Sequence, residues 1–216
     1  MKTKMMALVA MVTMMASAAW AAGDTNPLHP GDTSALHPPA GNRMALVVFE
    51  DLECPACAKA EPLLEQAERN YHLPLVRHDF IIPSHPWSME AHIMARYFDA
   101  HPTGQSPKLG EEFRQYIFAN QSAIYKLNLR EWADKFATAH HSALPAFYDP
   151  SGALRAKVEA DTLLGRVTGE KGVTHTPTIY VVSDSRQEPF VEVIDQAKLF
   201  DTIEQVKSAL GSKAKK

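Results

Sequence analysis

Apolar and polar positions fall into blocks along this chain, and each block predicts an element. Met44 to Phe49 is a short apolar run of the buried-strand kind. From Pro55 to Tyr71, residues Ala60, Leu63, Leu64 and Ala67 recur at helical spacing. Pro55 suits the first helical position, where a missing N–H costs nothing, and Pro62 predicts a kink. Leu73 to Ile82 reads as the next strand, through Leu75, Val76, Phe80, Ile81 and Ile82. Strand, helix and strand in that order predict a right-handed crossover and a parallel pair.

From Pro86 to about Gly169 the pattern is helical throughout. Met89, Ile93, Met94 and Tyr97 form one stripe, which Phe113, Tyr116, Ile117 and Ile124 continue. Leu129, Trp132 and Phe136 form another, and Ala153 to Val167 predicts a last helix through Leu154, Val158, Leu163 and Leu164. Trp87 and Trp132 read as packing residues of this block. Breaks fall at His101–Lys108, Asn120–Leu127 and Ala143–Gly152. Thr178 to Val182 returns as a strand, and the polar turn Ser183–Glu188 leads to an antiparallel partner at Phe190–Ile194. A helix over Ala197–Leu210, buried through Leu199, Ile203, Val206 and Leu210, closes the pattern at Gly211. The fold class is α/β, with residues 44–85 and 170–211 forming one domain around a helical insertion at 86–169.

The N-terminal end has a different character. Lys2 and Lys4 precede an apolar run from Met5 to Ala16, and Ala19-Trp20-Ala21 fits a small-x-small cleavage site. Residues 1–21 therefore read as a signal peptide cleaved after Ala21, with an uncleaved anchor as the alternative. Export to the periplasm or another extracytoplasmic space is the expectation. Residues 22–43 are rich in Pro, Gly, Asp, Asn and Thr and repeat Leu-His-Pro at 28–30 and 36–38. They read as a tail or linker, either solvated or laid along the surface, with a weak metal arm through His29 and His37 as the lesser alternative.

Charge narrows the partners. Losing Lys2 and Lys4 takes the formal net charge from −3 to −5, and no basic run remains. Nucleic acid is excluded as an expected partner. The chain has two cysteines, Cys54 and Cys57, three apart at a predicted helix start. Positions i and i+3 share a helix face, so the two sulfurs can meet. A domain of this size needs no staple, and so short a loop gains little from closure. A C-x-x-C beside a strand–helix–strand unit reads as thioredoxin-like. Cys54, at the helix N-terminus with its sulfur toward solvent, is placed for a thiolate and nucleophile. Cys57, one turn in, is placed to resolve a mixed disulfide. Glu50, Asp51 and Glu53 read as a solvated acidic edge. His78 and His85 could complete a metal site with the cysteines only in principle, since structural zinc sites usually show a second tight pair. His140-His141 reads as a helix end.

These motifs resemble the thioredoxin superfamily, and specifically DsbA-like thiol:disulfide oxidoreductases, over roughly residues 44–210. Phe49-Glu50-Asp51-Leu52-Glu53-Cys54-Pro55-Ala56-Cys57 is similar to the family's strand end and active-site stretch. Pro62 matches the kink proline of the active-site helix. Asp79-Phe80-Ile81-Ile82-Pro83 with His85-Pro86-Trp87-Ser88 resembles the strand leading into the insertion. Gly172-Val173-Thr174-His175-Thr176-Pro177-Thr178 resembles the cis-proline loop. The resemblance implies that Cys54 is the nucleophile, that Cys57 resolves, and that Pro177 is cis and packs on the disulfide. It also implies that Thr176 seats the substrate peptide. Pro55 and Ala56 are expected to tune the site. Ala56 stands where strongly oxidising members carry His, and Val48 stands where many relatives carry a buried acid. Proton removal from Cys57 then falls to Glu50 or a water. His175 is expected either to lie near Cys54 and stand in for the missing histidine, or to face solvent.

The leading expectation is a monomeric exported disulfide donor. It needs no separate cofactor, acts on reduced or unfolded exported polypeptides, and is reoxidised by a quinone-linked membrane partner. The alternatives are a reductase or isomerase running in the other direction, and a metal- or peptide-binding module.

Overall fold

A computed structural model describes residues 28–185 and 189–212. The expected signal peptide at 1–21 lies outside them, as do residues 22–27. No helix among the described residues is long and apolar enough to cross a membrane.

The chain forms β1 (Met44–Glu50), α1 (Pro55–Tyr71), β2 (Leu75–Asp79), α2 (Ser88–Ala100), α3 (Leu109–Asn120), α4 (Leu129–Ala139), α5 (Ala153–Val167), β3 (Thr178–Ser183), β4 (Phe190–Glu192) and α6 (Leu199–Ser212). The four strands make one sheet in the order β2-β1-β3-β4. The β1–β2 pair is parallel, and β3 runs antiparallel to both β1 and β4. This is a thioredoxin-like sheet, with helices α2 to α5 entering between β2 and β3.

The central strand β1 is buried along its whole length. Its side chains alternate between two faces, as pleating requires. Met44, Leu46 and Val48 pack with Ile179, Val181 and the α6 stripe Leu199, Ile203, Val206 and Leu210. Ala45, Val47 and Phe49 pack on the other face with Phe80, Tyr180 and Val182. On that face α5 comes in at Gly165, where a Cβ would sit 2.6 Å from the Phe80 ring. A third cluster fills the insertion around Phe98, Phe113 and Phe136 and extends to Cys54, Cys57 and Trp87.

Four expectations change. The second strand ends at Asp79 rather than Ile82, because its partner β1 ends at Glu50. The amides of Ile81 and Ile82 then bond to the Thr162 hydroxyl and the Asp51 carboxylate instead. The hairpin partner is shorter, ending at Glu192. The last helix continues through Gly211 to Ser212. The fourth change is the largest. The expected tail or linker is docked from residue 28 onward. Asp32 forms a parallel bridge with Thr168, and Leu36 is fully buried against the sheet beside Ala35. A lone leucine between prolines carries no period, so its burial left no pattern in the sequence.

Leu36→Ala should therefore cost about 2 to 5 kcal/mol, as for other fully buried leucines. Urea unfolding followed by far-UV circular dichroism checks this, and an unchanged midpoint would make the arm peripheral.

Candidate active site

Cys54 is the residue before the first turn of α1, in extended geometry (φ −78°, ψ 119°), and Pro55 occupies the first helical position. The Cys54 carbonyl accepts the amides of Cys57 at 3.0 Å and Ala58 at 3.2 Å. Both cysteines are free thiols in this structure. The expected solvent-facing sulfur is a correction: Cys54 is only 8% exposed and Cys57 only 2%. Pro55 and Ala56 form the exposed surface over them. Thr176 arches across the pair, and its carbonyl accepts the Cys54 thiol at 3.3 Å. The Thr176–Pro177 peptide is cis, with both residues buried, and β3 begins at the next residue. His175 is exposed, and its carbonyl accepts the Thr178 hydroxyl.

The two sulfurs differ in their ease of ionisation. Cys54 is pulled down to about 5, first by the thiol of Cys57, then by the Thr176 side chain and the amides of Cys57 and Ala56, with burial opposing. The Thr176 carbonyl can serve only the protonated thiol. Its hydroxyl, buried without another partner, is the group free to face a thiolate. Cys57 moves the opposite way. Burial pushes its thiol up, and Cys54 and the Glu50 carboxylate add to the rise. The Asp51 amide donates to the Cys57 sulfur at 3.5 Å and partly offsets this.

The acidic residues before Cys54 are not the solvated edge expected of them. Glu50 and Asp51 are 1% and 0% exposed. Glu50 receives Arg77 at 2.6 Å and lies 3.7 Å from Arg114. Arg77 also grips Glu61 at 2.7 Å and Glu111 at 2.8 Å. Burial lifts the Glu61 carboxyl to about 7 against the pull of Arg77. Asp51 accepts the amides of Glu53 and Ile82 and lies 3.0 Å from His85. His78 faces Asp161 at 3.2 Å, so each of these histidines stands beside a carboxylate.

Two further residues hold the site and went unread in the sequence. The Leu52 amide donates to His92 Nε2 at 3.0 Å. Nε2 therefore carries no proton, and the 2.7 Å bond to Asp79 is donated by Nδ1. Asp79 also accepts Arg114 at 2.8 Å and Arg96 at 2.6 Å, and Arg96 continues to Asp161. The Gln121 amide, just past α3, donates to the carbonyls of Leu52 at 2.9 Å and Cys54 at 3.1 Å. Thus the insertion grips both backbone groups of Leu52 and the carbonyl of Cys54. His92 sat inside an apolar stripe, where a polar residue was the available signal; Gln121 had none.

Comparison with known proteins agrees with this geometry. A family model described as thioredoxin matches residues 37–196. No curated protein sequence matches the chain. Among solved structures, the chain is similar to alpha-DsbA1 of Wolbachia pipientis (12% identity, TM-score 0.63, 82% of this chain and 92% of that one). It is also similar to BdbD of Bacillus subtilis (15%, 0.57, 87% and 92%). A third is a periplasmic thioredoxin-like protein of Salmonella enterica serovar Typhimurium (18%, 0.57, 82% and 88%). At these identities the likeness speaks for the fold.

Two outcomes are expected. Thiolate absorbance of the reduced protein should rise with a midpoint near pH 5. Because the folded value is depressed, the stability contributed by ionised Cys54 is full above the unfolded value and lost as pH falls through about 5. Unfolding of the reduced protein between pH 9 and pH 4 reads this loss; a Cys54→Ser variant should lack it. Gln121→Ala should lower stability by about 1 to 2 kcal/mol and raise the thiolate midpoint, since the helix start that aims the Ala56 and Cys57 amides loosens. An unmoved midpoint would mean that the clamp holds the loop without aiming the sulfur.

Proposed function

Because the chain belongs to the thioredoxin family, we propose that it is an exported thiol:disulfide oxidoreductase that donates a Cys54–Cys57 disulfide to reduced polypeptides. The opposed ionisation of its two cysteines carries the reading. A substrate thiolate attacks Cys54, the Cys54–Cys57 bond breaks, and Cys57 leaves with the electron pair and takes up a proton. Its raised affinity for protons favours that end state, and the Asp51 amide meets the sulfur as charge develops there. A second substrate thiolate attacks the substrate sulfur of the mixed disulfide and expels Cys54. A sulfur that ionises near pH 5 is a good leaving group. Two electrons pass from two substrate thiols to the protein, and the substrate gains a disulfide.

A reduced pair stabilised by an ionised Cys54 also favours donation over reduction. Thr176 and Pro177 are the proposed seat of the substrate backbone. Reoxidation would fall to a quinone-linked membrane partner. Export rests on the leader pattern at 1–21, and one structure similar in fold is described as periplasmic.

Equilibration with a glutathione series should give a potential in the oxidising half of the range from roughly −120 to −270 mV. A value near the reducing end would make this a reductase. Cys54→Ser should abolish oxidation of a reduced protein substrate. Mixed with a disulfide-bonded protein substrate, Cys57→Ser should accumulate a Cys54–substrate mixed disulfide visible on a non-reducing gel, because Cys54 attacks the disulfide, expels one substrate thiolate, and no second protein thiol follows to resolve the product.

A further inference from the structure

We propose that a groove in the insertion, between the starts of α2 and α4 and the 144–150 loop, receives the polypeptide chain beside its reacting cysteine and prefers acidic segments. The inference rests on the exchange reading above and adds a substrate class to it.

The groove encloses about 520 Å³, within the usual range of binding clefts. Its floor is apolar and buried, made by Trp87, Met94 and Leu129. A second cavity of about 250 Å³ shares Glu90, Tyr148 and Arg155 with it and prolongs it to Phe147. Trp87 ties the groove to the cysteine segment. The Trp87 amide donates to Glu53 at 2.6 Å, and Glu53 immediately precedes Cys54. Trp87 packs in the same cluster as Cys54 and Cys57. Lys126, on the wall, follows closely on Gln121, which holds the Cys54 carbonyl.

The charge on the walls is unbalanced. Arg130 is committed to Asp134 and to the carbonyls of Leu144 and Pro145. Glu90 accepts the Tyr148 hydroxyl, and Asp149 accepts the amides of Leu154 and Arg155. Among the described residues, Lys126 and Arg155 form no ion pair. Arg155 acts on the Asp149 carboxylate without closing an ion pair, so both cations over this apolar floor lack a direct carboxylate partner, in a chain of net charge −3. The rim is apolar and open. Phe147, 85% exposed, lines the prolongation, and Leu127 (90%) and Tyr125 (57%) flank Lys126 in the sequence. Large apolar side chains clustered around a cleft mark a contact surface, whereas scattered ones do not. An extended chain carrying carboxylates and large apolar residues complements all three features. Exposed cations act chiefly on encounter rate and are screened by salt.

The test uses the oxidised protein and three reductants: uncharged dithiothreitol, a cysteine peptide flanked by Glu and Phe, and the same peptide with Lys for Glu. The acidic peptide should react about three- to tenfold faster than the basic one at low salt, a span expected of two exposed charges. The difference should collapse at roughly 0.5 M salt. In the Lys126→Glu, Arg155→Glu double variant the preference should vanish or reverse, while the dithiothreitol rate stays within about twofold. Equal peptide rates in the wild type with normal dithiothreitol oxidation would overturn the groove and leave the exchange reading standing. So would a preference that survives the double substitution. Failure to oxidise all three reductants would remove the exchange reading and the groove's role with it.

Discussion

The architecture depends on one buried carboxylate. Asp79 ends β2 with no exposure to water, and an isolated charge there would cost several kcal/mol. Burial alone would favour its neutral form, yet Arg114, His92 and Arg96 hold it ionised, well below the usual carboxylate range. Those three partners lie on α2 and α3, so satisfying Asp79 docks the helical insertion onto the end of the sheet. Asp79 also fixes His92, which turns its other nitrogen to the Leu52 amide. The position of the cysteines thus follows from a charge that never touches them.

The cysteines themselves differ by depth rather than by residue type. Cys54 sits where the unpaired amides of a helix start converge. Cys57, one turn further, looks into apolar side chains and toward the Glu50 carboxylate. Ala56 contributes no side-chain donor to this asymmetry; its backbone amide does. The missing inter-cysteine histidine therefore does not prevent a strongly acidic Cys54. Beneath the pair, Glu50, Glu61 and Glu111 share one guanidinium, and Glu61 retains its proton up to near neutrality.

What could be read in the sequence is what local periodicity encodes. The span of α1 and the buried β1 are repeats of one face, and both match the structure to the residue or nearly so. The C-x-x-C and the Thr176-Pro177 pair carry their chemistry in adjacent residues. The misread positions depend on partners distant in the chain. Glu50 and Asp51 look solvated because acids usually are; the arginines that bury Glu50 come from mid-β2 and from the apolar face of α3. Gln121 is one polar residue in a polar break until the fold brings it against Leu52 and Cys54.

The docked arm has a consequence in time. Asp32 leaves the ribosome early, and Thr168, to which it bridges, follows 136 residues later. At about 5 to 20 residues per second, the arm waits roughly 7 to 27 s for its mate to be made. During that interval Leu36 has no finished sheet to enter. The first described segment of the chain to be synthesised is thus among the last able to settle: α5 supplies the bridge to Asp32, and the arrival of β3 after it completes the surface that takes in Leu36.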